Sequence, residues 1–134
     1  MKWKGWLRLA AAGPSFRIPG PVPAMTKGSG MSYTVNYSVL PLTHSGGHMS
    51  DLVAKVVDKI EQSGLDYRVT AMGTQIEGEL DAILEVIKQC EAVVEEDSER
   101  FYTILTMDYQ RDRTDNLEHK VKAVEDRLGH AVKK

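Results

Sequence analysis

Two strand-like runs meet at a single glycine near the middle of the chain, and that junction constrains the fold more than any other feature. Residues 67–72 alternate, with Tyr67, Val69 and Ala71 on one face, and residues 74–79 resume as a short strand directly after Gly73. So tight a turn joins antiparallel neighbours, because a parallel pair needs a crossover of about a dozen or more residues.

Each side of this hairpin carries one helix and one further strand. Upstream, Tyr33, Val35, Tyr37 and Val39 alternate with Thr34, Asn36 and Ser38, the pattern of a half-buried strand that Pro41 ends. Met49, Leu52, Val53, Val56, Val57 and Ile60 then recur at helical spacing, with Ser50 the expected N-cap and Gly64 the stop. Downstream, a second helix carries Leu80, Ile83, Leu84, Ile87, Cys90 and Val94 inward, and residues 101–109 read as the fourth strand. A last helix presents Leu117, Val121, Val124 and Leu128, with Asp115 and Glu118 spaced as a capping box.

The order β-α-β-β-α-β plus a third helix predicts an α+β chain, a ferredoxin-like sandwich with an additional C-terminal helix. Right-handed crossovers place the first two helices on one face of the sheet. The other face then displays Thr34, Asn36, Ser38, Arg68, Thr70, Met72, Gln75, Glu77, Tyr102, Ile104, Thr106 and Asp108. Such a mixed face is expected to be solvated, covered by the last helix, or buried against another subunit.

The chain divides into a basic, flexible extension over residues 1–30, the domain over 31–130 and a short tail over 131–134. The extension holds four of the five prolines and five basic residues with no acid, which leaves twelve basic against nineteen acidic residues beyond it, a net of −7. Its apolar stretch around Trp6 is short and broken by Arg8, a poor signal-peptide core. An acidic domain without a basic stripe argues against nucleic acid, whose binding rests on phosphate neutralisation. No apolar run approaches the ~20 residues that span a bilayer. The single cysteine, Cys90, forbids an internal disulfide and points to a reducing, cytoplasmic setting.

Catalytic groups are sparse. Glu77 and Asp108 fall on strands that place them on one face, where they could act as acid and base, accept hydrogen bonds from an amine, or pair with Arg68 or Arg111. His44 and His48 flank two glycines without a third metal ligand, so a solvated loop is expected there. Cys90 sits on an apolar helix stripe as a small core residue, and no phosphate-loop lysine pattern occurs. Neither a metal, a cofactor nor an enzymatic activity is expected.

Three stretches together carry a resemblance: Tyr37-Ser38-Val39-Leu40-Pro41-Leu42, then Thr70-Ala71-Met72-Gly73-Thr74-Gln75-Ile76-Glu77-Gly78, then Met107-Asp108-Tyr109-Gln110-Arg111-Asp112. They resemble the small thiamine-binding proteins of the YkoF-like class. The resemblance implies a ferredoxin-like homodimer or homotetramer that binds thiamine or its hydroxymethylpyrimidine part without turning it over. It also implies ligand contacts at Asn36, Ser38, Thr70, Met72, Gly73, Thr74, Glu77 and Asp108. On that reading Glu77→Gln weakens ligand binding with little loss of fold. The alternative is a structural or regulatory module that uses the open sheet face to bind a protein.

Overall fold

The hairpin at Gly73 organises the sheet in the computed structural model, which describes residues 32–43 and 46–134. Elements follow the order β1 (Ser32–Pro41), α1 (Met49–Gln62), β2 (Asp66–Thr70), β3 (Gly73–Gly78), α2 (Leu80–Asp97), β4 (Phe101–Gln110) and α3 (Asn116–Leu128). The sheet order is β2-β3-β1-β4, antiparallel throughout, which is the ferredoxin-like arrangement. The expected basic extension and His44 lie outside the described residues.

Residues opposed across antiparallel strands share a face, so the register sorts every side chain. Val35 stands opposite Ile76 and Met107, and Tyr37 opposite Thr74 and Leu105. This face packs against Leu52, Val56 and Ile60 of α1 and Ile83, Val86, Ile87, Cys90 and Val94 of α2. Each such aliphatic side chain, fully buried, contributes about 1.5–3 kcal/mol.

The expected stripe on α2 shifts by a fraction of a turn. Val86 is buried where Leu84 was expected, because Leu84 lies about 100° round the helix from Ile83 and emerges at the edge of the seam. On α1 the cap moves from Ser50 to His48, whose backbone N–H donates to Asp51 Oδ2 at 3.3 Å. Gly64 follows the helix with φ of +72°, a conformation an L side chain adopts only under strain.

One polar link crosses the helix-facing core. Tyr37 Oη donates to Glu91 Oε1 at 2.9 Å, and Thr103 Oγ1 donates to the same oxygen at 2.8 Å. Burial first, and then the Glu91 charge and hydrogen bond, push the Tyr37 hydroxyl far above its ordinary range. The pair thereby ties α2 to both β1 and β4.

Candidate binding face and family membership

The remaining sheet face is partly roofed by α3, and the roof is fastened at Glu77. This carboxylate is only 6% exposed. It accepts Ser32 Oγ at 2.8 Å, the backbone N–H of Asn116 at 2.9 Å and that of Leu117 at 3.0 Å, with the Asn116 amide nitrogen at 3.4 Å. A β3 side chain thus satisfies the free amides at the start of α3, where a negative charge is also favoured by the helix dipole.

That arrangement corrects two expectations. Asp115 is not half of a capping box: it sits at φ of +63° and makes no side-chain cap, while Glu118 turns away to pair with Arg68. Glu77 is not free for a ligand either, because four donors already surround its oxygens and α3 covers it.

Two ion pairs fasten the rest of the roof. Glu118 and Lys120 are two residues apart on α3, hence about 200° round it, and they reach opposite sides of the sheet. Glu118 meets Arg68 on β2, and Lys120 meets Asp108 on β4. Asp108 and Glu77 therefore do share a face, both opposite Thr34, but neither pairs with Arg68 or Arg111. Of the apolar stripe expected along α3 only Leu117 is buried, while Val124 and Leu128 are about half exposed. The helix is held by polar contacts at its start.

Beside this roof lies a shallow depression of about 190 Å³, lined by Thr34, Val35, Asn36, Gln75, Thr106, Met107 and Asp108. Asn36 stands opposite both Gln75 and Thr106, so two carboxamides and a hydroxyl lie in one row across β3, β1 and β4. The Thr34 hydroxyl is buried without a hydrogen-bond partner. Among the described residues of the lining, Asp108 alone is ionisable.

The other residues expected at the site are distributed differently. Ser38 lies on the same face beyond Asn36, opposite Ile104. The Thr70 hydroxyl is occupied by the hairpin turn: it donates to the Gly73 carbonyl at 2.8 Å and accepts the Met72 N–H at 3.3 Å. Met72 falls in that turn rather than on a strand, 85% exposed. Gly73 serves close approach, since a Cβ there would lie 2.8 Å from the Tyr37 carbonyl oxygen and 3.3 Å from the Asn36 amide nitrogen. Thr74 is opposite Tyr37 and points to the helices, so the open face does not include it. Gln75, Thr106 and Thr34 belong to the depression, although the motif resemblance did not single them out. Their signal was strand alternation alone.

No cluster of three or more metal-ligating side chains occurs among the described residues, and His48 serves as the α1 cap residue. Cys90 is fully buried, and burial lifts its thiol to about 11, which keeps it protonated and unreactive. No described helix is long and apolar enough to cross a membrane.

Residues 35–125 match the Thiamine-binding protein family. The chain belongs to that family. A UPF0045 protein of Methanothermobacter thermautotrophicus is 34% identical over 97 residues, 71% of this chain and 98% of that protein. A hypothetical protein of Methanocaldococcus jannaschii superposes with a TM-score of 0.64 at 30% identity, covering 71% of this chain and 97% of its own. A Thermotoga maritima protein provisionally assigned to thiamine biosynthesis or salvage superposes with a TM-score of 0.61 at 27% identity, over 69% of this chain and 98% of that one. The matched span contains every residue of the depression except Thr34, and α3 up to Glu125.

Proposed function

We propose that this member of the family is a non-catalytic binding protein for thiamine or its hydroxymethylpyrimidine part, working in the cytoplasm as an oligomeric carrier or sensor. The observation that carries the reading is the row of hydrogen-bonding side chains in the depression, with a carboxylate at its rim. An aminopyrimidine needs matched donors and acceptors, which the Asn36 and Gln75 carboxamides and the Thr106 hydroxyl offer. A thiazolium cation needs a nearby negative charge, which Asp108 supplies. Nothing in the depression resembles a nucleophile with an adjacent base.

One copy makes half a site. The depression falls below the ~300–1,000 Å³ typical of small-molecule pockets and is open on one side. Leu40, Tyr102 and Ile104 continue the same face beyond it, each about half exposed. A second copy packed on those residues would cover apolar surface and close the site, giving the homodimer or homotetramer. The same apolar end is what favours the second reading, a module that binds another protein through this face.

Thermal-shift titration with thiamine, its phosphates and hydroxymethylpyrimidine, followed by calorimetry, tests the reading. A saturable rise in melting temperature is expected, growing as RT ln(1 + [L]/Kd). No shift at millimolar ligand would remove the small-molecule reading and favour the protein-binding one.

A further inference from the structure

Two unlike groups meet at the side of the depression next to α3. Thr34 and Asp108 stand directly opposite each other across β1 and β4, and the Thr34 hydroxyl is buried with no hydrogen-bond partner. The carboxylate of Asp108 already holds a cation, the ammonium of Lys120 from α3. Asp108 alone among the lining residues carries charge, so any positively charged ligand group is drawn to the position that Lys120 fills.

We infer that Lys120 is an intramolecular competitor for the carboxylate of the site, which a cationic ligand must displace and a neutral one need not. This rests on the binding reading above. The ion pair is well suited to exchange, since its side chains are 48% and 58% exposed. A solvated pair of this kind contributes ~0.2–1 kcal/mol, and a released lysine returns to water at small cost. The start of α3 need not move, because Glu77 holds Asn116 and Leu117 independently, one turn earlier. Lys120 therefore sets how strongly the site prefers a thiazolium over an uncharged pyrimidine.

The test is calorimetric titration of the full chain and its Lys120→Met and Lys120→Gln variants with thiamine and with neutral hydroxymethylpyrimidine. Both variants are expected to bind thiamine about 1.5–5-fold more tightly, the range that ~0.2–1 kcal/mol converts to at 1.4 kcal/mol per tenfold. Binding of the neutral pyrimidine should not change. Unaltered or weakened thiamine binding in both variants, with the wild type binding normally, would overturn the role of Lys120 and leave the binding reading intact. Failure of the wild type to bind either compound would overturn the binding reading itself, and this inference with it.

Discussion

Glu77 Oε2 accepts the backbone N–H of Leu117 at 3.0 Å across forty positions of sequence. A side chain near the end of β3 thus performs the capping that a local Asp or Ser performs in many helices. It explains why α3 stays on the sheet although Val124 and Leu128 of its apolar stripe remain about half exposed.

Glu77→Gln should consequently act on the fold. An amide keeps one acceptor oxygen and loses the charge that strengthens the bonds from Ser32, Asn116 and Leu117. Loss of about 1–3 kcal/mol is expected in urea denaturation, with faster hydrogen exchange at residues 116–120. Unchanged exchange there would show that the cap does not hold α3.

Gly73→Ala should also destabilise, by about 1–3 kcal/mol. The added Cβ would stand 2.8 Å from the Tyr37 carbonyl oxygen, a backbone atom that cannot rotate aside. Asn36 lies against the same point, so the substitution should disturb the floor of the depression as well. A thermal melt equal to wild type would mean that β3 slides away at no cost.

These positions show what the sequence could and could not disclose. Strand alternation, helical spacing and the one-glycine hairpin sufficed for all seven elements and for most of the sheet's two faces, because these signals are local. Position 77 was recognisable as outward-facing for the same reason. Its partners were not, since Ser32 and Asn116 are distant in sequence and nothing local marks a carboxylate as a cap for a helix forty residues on. Thr74 enters the ligand contacts only through the motif resemblance, although its parity with Ile76 points it inward. Leu84 reads as core because it is apolar, yet it stands one residue and about 100° round the helix from Ile83, at the edge of the seam. The Tyr37–Glu91–Thr103 link is tertiary throughout and left no mark in spacing.

Alkaline pH should unfold the protein in a way that reports on Cys90. Burial raises its thiol from 9.0 to about 11 in the folded state. A group whose pKa is raised by folding stabilises fully below its unfolded value and loses that contribution as pH climbs through the folded one. Stability should accordingly fall between pH 9 and 11, by on the order of 2 kcal/mol from this group. Tyr37 adds a loss of the same sign above pH 10. Cys90→Ala should lower stability at neutral pH through its small cavity yet show a shallower decline from pH 9 to 11. Parallel declines in the two proteins would mean that the thiol does not contribute.

Assembly should depend on the uncovered end of the sheet. Leu40 and Tyr102 stand opposite each other across β1 and β4, and Ser38 and Ile104 form the next pair toward the depression. A charge at position 104 would have to be buried in any copy-to-copy contact over this face, at a cost of several kcal/mol when unpaired. On the isolated fold Ile104 is about half exposed, so the same change should cost little there. Ile104→Asp is therefore expected to shift the sedimentation of the protein to that of a monomer while its far-ultraviolet spectrum stays the same. Thiamine affinity should drop in parallel, by tenfold or more, if a second copy closes the depression. A wild type that sediments as a monomer at tens of micromolar would exclude the shared site. An Ile104→Asp protein that still assembles would move the contact to another surface, and undiminished affinity in a monomeric variant would show that one copy binds the ligand alone.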